Sequence, residues 1–389
     1  MKELLQEEIK KIENDLWAMS DHLYANPELG DQEFNSMELL TKFLKDHGFQ
    51  IETGIVNRPT AFKATFDSGK PGPVIAYLAE YDALPGVGHG CGHNIIGTTS
   101  AGAGVTLSKL VQETGGSVVV LGTPAEETNG AKVPMSDEGT FEGIDAAMIL
   151  HPSDQSYESG ESLAMDAIQF AYTGKSSHAA ASPEKGINAL DAVIQLFNGI
   201  NALREHLSQD IRVHGIISEG GQAANVVPDY AVARFYVRAG ERSTLNEVAG
   251  KVKKIAEGAA LMTGAQLEIS NYELSYDNMI TNSSLSKAFT ENLKSVDPLP
   301  VYSAKQGYGS IDMGNVSQVV PAIHPYIGLG EEGLIAHTKE FADRTVTESG
   351  HKAISNGALA LAQTGYDLLI DDDLLNKVKL EFRKTTNRL

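Results

Sequence analysis

Leu4, Leu5, Ile9, Ile12, Leu16 and Met19 return every three or four residues, the spacing that lines one face of a helix. A second helical stretch, "SMELLTKFLKDHG", opens on Ser36 and stops at Gly48, with Glu38 early and Lys45 late as the helix dipole favours. The period then changes. "AFKATFDSG" alternates like a half-buried strand, and "PVIAYLAEYDALP" is an apolar strand running into a turn. "IIGTTSAGAGVTLSKLVQET" reads as a small-residue helix that can lie close on a sheet. "SVVVLGTPAEE" is a buried strand ending in two carboxylates, and "DAAMILHPS" another ending in His151.

Strands alternating with helices, the strands apolar throughout, predict an α/β domain with a mixed or mostly parallel sheet flanked by helices. Ligands of such sheets gather at the carboxyl ends of the strands. From about Leu163 the order becomes strand, helix, strand, strand, helix, strand, ending with "AQLEISNYEL". That is a ferredoxin-like α+β unit. The chain returns to α/β character through "SQVVPAIHPYIG" and the closing helix "SGHKAISNGALALAQTGYDLL". The expected layout is a discontinuous α/β domain, 1–162 and 277–389, carrying an insert over 163–276.

Composition adds exclusions. Hydrophobic residues make up 42% of the 389, enough for real cores, and the formal net charge of −20 argues against nucleic acid or an anionic membrane as partner. The amphipathic N-terminus lacks a signal-type apolar core, and no apolar run reaches the roughly 18 residues of a membrane span. A single cysteine rules out an internal disulfide and points to a reducing, cytoplasmic location.

That cysteine, Cys91, lies in "GHGCGHN" with His89 and His93. Thiolate and imidazole are zinc-type ligands, and glycines let a loop wrap an ion. A Cys91–His93 nucleophilic pair or a buried structural thiol fits the same residues. In "TPAEETNG" the adjacent Glu126 and Glu127 repel each other, so burying both calls for a cation. Their side chains diverge, so one could bind metal while the other faces water. His151 and His337 are further strand-end and loop candidates. His22, His47, His206, His214, His324 and His351 read as surface or packing residues, and His89 is open.

Taken together, "YDALPG", "HGCGHN", "GTPAEE", "LHP", "GKSSHAAASPEKGINALDA", "NVVPD", "GSIDMGNVS" and "HTKEF" resemble, in order, the co-catalytic metallopeptidases that include aminoacylases and glutamate carboxypeptidases. The nearest likeness is to the amidohydrolase branch. The resemblance implies two divalent ions, zinc or manganese, with Cys91 bridging them and His93, Glu127, His151 and His337 as the other ligands. It implies Glu126 as general base and Asp82 as the aspartate beside the ligands. Glu80 stands where the wider family has a ligand histidine. In the insert it implies His178 as an oxyanion donor reaching across a homodimer, Asn225 and Arg238 as substrate-binding residues, and a lid and dimerisation role. The implied reaction is hydrolysis of a small N-acyl-amino acid or dipeptide. A cysteine hydrolase and a non-catalytic binding homologue are the competing readings.

Overall fold

The structure is a computed structural model that describes residues 1–305, 307 and 309–386. The chain folds as two compact units. One comprises Met1–Glu161 with the segments that begin at Met279 and Asp312; the other comprises Ser162–Asn278 with the short stretch before Asp312.

The first unit is built on a six-stranded sheet in the order Gln50–Thr53, Phe62–Asp67, Ser117–Gly122, Val74–Ala79, Ala146–Met148, Ala322–Ile323. The first three strands pair antiparallel and the remaining pairs are parallel, so the sheet is mixed. Helices Lys2–Ala25, His93–Thr114 and Glu348–Ile370 pack on one another, with Leu5, Leu16, Val105, Leu107, Ile354 and Leu361 in the core. The small residues of His93–Thr114 permit that closeness. A Cβ on Gly97 would lie 2.7 Å from the Glu80 carbonyl oxygen, so helix and strand end meet backbone to backbone.

Two boundaries differ from the pattern. The second helix runs Phe34–Asp46, two residues ahead of Ser36, because the Glu28 carboxylate accepts the amides of Asn35 (3.2 Å) and Ser36 (2.8 Å). The run "DAAMILHPS" is two strands. Ala146–Met148 belongs to the large sheet, whereas His151–Ser153 pairs with Tyr326–Gly328 in a separate four-stranded sheet. His151 therefore opens a strand. An unbroken apolar run does not mark where a chain changes sheet.

The second unit is a four-stranded antiparallel sheet, Gln266–Asn271, Ala164–Thr173, Tyr230–Ala239, Arg212–Glu219, with helices Ala189–Arg204 and Arg242–Thr263. Its chain order is the ferredoxin-like β-α-β-β-α-β. Phe170, Val193, Leu196, Phe235 and Val252 fill a core of its own. The fold is thus α/β with an inserted α+β unit.

One buried carboxylate braces the strand-end loop of the first unit. Ala125, just before the glutamate pair, has φ +62°, a left-handed conformation that costs a non-glycine residue about 1 kcal/mol or more. Glu33, fully buried, accepts the Ala125 amide at 2.9 Å and the Thr60 hydroxyl at 2.9 Å. Burial, with help from the Asp82 charge, pushes the Glu33 carboxyl up to about 7. A folded-state pKa above the unfolded one means stability that is full below the unfolded value and lost as pH rises through about 7. Glu33→Gln keeps the shape without the titration. Between pH 5 and pH 8 the wild type should therefore lose about 2–3 kcal/mol relative to Glu33→Gln, read as diverging thermal midpoints. Parallel pH profiles would refute the ionisation of Glu33 as the cause.

Candidate metal centre

Three strand ends of the first unit supply the site. Glu80 and Asp82 follow Val74–Ala79. Glu126 and Glu127 follow Ser117–Gly122 and open the short helix Glu126–Asn129. His151 opens the strand of the smaller sheet. Cys91 lies in the loop before the helix His93–Thr114, whose first residue is His93. Gly92 makes the junction possible: its φ is +80°, and a Cβ there would stand 2.4 Å from Pro152 Cγ, so only glycine lets this loop lie against the His151–Pro152 turn. His337, distant in sequence, is tied in by its own backbone. Its amide donates to the Gly90 carbonyl at 2.8 Å, with φ at +65°.

The donor atoms converge. Cys91, His93 and His151 form one group, Cys91, Glu127 and His337 a second, and His93, Glu126 and Glu127 a third; within each the ligand atoms all lie within 4.8 Å of one another. Cys91 Sγ is 3.4 Å from His151 Nε2. Glu127 Oε1 is 3.8 Å from His93 Nε2 and 3.5 Å from His337 Nε2. Two donors on one zinc-type ion, each about 2.0–2.3 Å from it at tetrahedral angles, lie about 3.3–3.7 Å apart. The spacing is that of a coordination shell.

The outer atoms of these ligands are already bound. Asp82 Oδ1 accepts from His93 Nδ1 at 2.9 Å, and Asp82 Oδ2 accepts the Glu127 amide at 3.0 Å, so one carboxylate orients two donors. His151 Nδ1 donates to the Pro152 carbonyl at 2.7 Å, leaving a lone pair on Nε2. The inner atoms are the ones left over: His93 Nε2 and Glu127 Oε1 are buried without a hydrogen-bond partner. Orphaned buried acceptors are costly unless a cation satisfies them. The residues fit a metal.

Burial, then the charges of Glu80, Asp312 and Glu127, push the Glu126 carboxyl well up. Burial also pushes the Cys91 thiol up, the opposite of what an activated nucleophile needs. Burial would lower His93, but Asp82 and then Glu80 outweigh it and hold it well above the ordinary imidazole range. Burial drives His151 down to about 3 and His89 down to about 4, keeping both neutral.

The flanking residues of "GHGCGHN" divide. Asn94 is a packing residue whose amide donates to Ser20 Oγ and Thr345 Oγ1, both at 3.0 Å, joining three helices. His89 is buried. Neither falls in the three donor groups. Sequence reasoning passed over Lys132 and Asp312. Lys132, fully buried, reaches Glu80 Oε1 and Asp312 Oδ1, each at 2.7 Å. A lone lysine in "NGAKV" carries no local signal; only a charge count around the glutamate pair hints at a buried cation. His324, read as a surface or packing residue, is buried with its ring 5.5 Å from that of His151.

The remaining candidates belong to the second unit. His178 is exposed, and its Nδ1 accepts the amides of Ala180 (3.2 Å) and Ala181 (3.1 Å), which puts the proton on Nε2. The loop bearing Asn225 runs alongside, with the Ala179 amide donating to the Asn225 carbonyl at 3.0 Å. Arg238 is half-buried and donates to Ser310 Oγ at 2.9 Å.

Comparison with known proteins supplies the context. The chain is 34% identical to the Xaa-Arg dipeptidase of Mus musculus, over 98% of this chain and 92% of that one. It is 30% identical to a p-aminobenzoyl-glutamate hydrolase polypeptide from Escherichia coli (strain K12), over 95% and 92%. The fold is shared with an aminobenzoyl-glutamate utilization protein from Klebsiella pneumoniae, with TM-score 0.76, 20% identity and 93% and 98% of the two chains covered. It is also shared with a dinuclear metal-binding peptidase of the M20 family from Bacillus subtilis, at TM-score 0.66, 22% identity and 91% and 99% coverage. The model of peptidase family M20/M25/M40 matches residues 76–362, the stretch that holds every donor described above, and the chain belongs to that family.

Proposed function

We propose that the chain is a metal-dependent amidohydrolase or dipeptidase that holds two divalent ions and cleaves the amide bond of a small N-acyl-amino acid or dipeptide. One observation carries the reading: the buried His93 Nε2 and Glu127 Oε1 have no hydrogen-bond partner and sit among the donor atoms of Cys91, His151 and His337. Cys91, His93, Glu127, His151 and His337 would hold the ions. A thiolate with imidazoles suits zinc, and carboxylates admit manganese. When bound, such ions polarise a carbonyl and bring the pKa of water from 15.7 to about 7.

The chain's own groups do the rest. Asp82 holds His93 and the Glu127 backbone in place. Glu126 takes a proton from the attacking water and returns it to the departing amine nitrogen. His178, protonated on Nε2, offers a neutral N–H to the oxyanion of the substrate carbonyl, and Asn225 and Arg238 bind the substrate's polar end. We assign His178 to the site of a second copy. The edge strand Arg212–Glu219 exposes Ile216 and Ile217, at 63% and 44%, and so offers a surface for a homodimer. No helix among the described residues is long and apolar enough to cross a membrane. The single cysteine supports a cytoplasmic location.

Glu126→Gln should retain its metal by elemental analysis and lose about 10²- to 10⁴-fold in kcat against N-acyl-amino acids and dipeptides. An unchanged kcat would remove Glu126 as the base. Cys91→Ser should come off the column depleted of metal and inactive, whereas a cysteine hydrolase would keep its metal, resist EDTA and yield to thiol reagents. Mixing inactive His178→Ala with inactive Glu126→Ala should restore part of the activity as protomers exchange. No recovery would place His178 in its own chain's site or outside the reaction.

A further inference from the structure

Glu80 is nearly fully buried, and its two oxygens live differently. Oε1 is bound to Lys132 Nζ at 2.7 Å. Oε2 is buried with no hydrogen-bond partner and stands 3.3 Å from His93 Nε2, which has none either. Asp82 already accepts the Nδ1 hydrogen bond of His93 at 2.9 Å, so displacing the proton from Nε2 turns a lone pair toward the Glu80 oxygen. Two electron-rich atoms facing each other away from water repel unless a positive charge lies between them. Their separation matches the roughly 3.3–3.5 Å expected of an imidazole nitrogen and a carboxylate oxygen on one zinc-type ion.

The charge count leads to the same atom. Lys132, Glu80 and Asp312 form a buried triad of one ammonium and two carboxylates. Asp312 commits both oxygens to Lys132, Oδ1 to the ammonium at 2.7 Å and Oδ2 to the backbone amide at 3.3 Å. The surplus negative charge therefore emerges at Glu80 Oε2. The Glu80 backbone is pinned as well, because its carbonyl lies where a side chain on Gly97 would have to go.

We propose that Glu80 is a further donor to the metal centre, its Oε2 directed there by Lys132, which Asp312 holds in turn. This rests on the metal-centre reading above. Glu80 is then a sixth ligand beside Cys91, His93, Glu127, His151 and His337, and it shares an ion with His93. Lys132 and Asp312 are positioning residues: the ammonium occupies one carboxylate oxygen and so presents the other. A shell with this extra carboxylate would widen the choice of metal toward manganese.

The test reads metal binding in metal-free protein rather than turnover. Wild type, Glu80→Gln and Glu80→Asp are stripped with chelator, checked for an intact fold by circular dichroism, and titrated with Zn²⁺ against a chromophoric competitor. A parallel titration with Co²⁺ follows its visible bands, which report coordination number. Glu80→Gln keeps an acceptor for Lys132 and leaves the Lys132–Asp312 pair whole, so it should fold. Its affinity at one of the two sites should drop about 10- to 100-fold or more, with the Co²⁺ bands of that site changed. Glu80→Asp, which keeps the charge but draws the oxygen back by one methylene, should fall between. Glu80→Gln binding Zn²⁺ as tightly as wild type with an unchanged Co²⁺ spectrum would overturn the assignment. So would tighter binding, the result expected if Glu80 only shares with His93 a proton that the metal must displace. A wild-type protein that binds no metal in the same titration would instead overturn the metal-centre reading itself.

Discussion

The site is organised by a surplus of buried electron pairs. Glu80, Asp82, Glu126, Glu127 and Asp312 cluster with Cys91, His93 and His151 at the ends of neighbouring strands, and Lys132 is the ammonium the cluster holds among the described residues. Each carboxylate away from water costs several kcal/mol unless paired. Asp82 commits its oxygens to His93 and the Glu127 amide, and Asp312 commits its own to Lys132. What remains is a set of buried atoms, Glu80 Oε2, His93 Nε2 and Glu127 Oε1, without a hydrogen-bond partner. The neighbouring strains serve that set: the left-handed Ala125 and His337 aim the loops that carry Glu126, Glu127 and His337.

The fold brings such a cluster together with few parts. The strands Val74–Ala79 and Ser117–Gly122 are parallel neighbours, which puts Glu80, Asp82, Glu126 and Glu127 at one edge of one sheet. The small-residue helix His93–Thr114 then seats against that edge with almost no side-chain volume between. A large residue at Gly92 or Gly97 would push Cys91 and His93 away from His151 or from Glu80. The packing of a helix thus decides the spacing of the candidate donor atoms.

Much of this was legible in the chain. The heavy periodicity of the first helix, the apolar strands and the six-element insert follow from side-chain burial, which depends on sequence spacing alone. The donor residues Cys91, His93, Glu127 and His151 stood out because their types are chemically unusual at strand ends. Other features were not legible. The start of the helix at Phe34 depends on the Glu28 carboxylate folding back from the preceding loop, and the split of "DAAMILHPS" depends on Tyr326–Gly328 being available as a second partner. Neither partner can be read from the local pattern. The Lys132 ammonium is likewise silent in sequence, because nothing near it in the chain says that it is buried.

By itself, then, the sequence determined which residue types were available, which strands would be buried, and that one cysteine could form no disulfide within the chain. Those are properties of composition and period. The tertiary structure decided which atoms of those residues face one another. Whether Glu80 offers one oxygen or two, which nitrogen of His93 or His151 keeps its lone pair, and whether His337 reaches Cys91 at all are set by hydrogen bonds between segments far apart in the chain. A lone pair's direction is a property of packing, and packing is what the linear order of residues does not display.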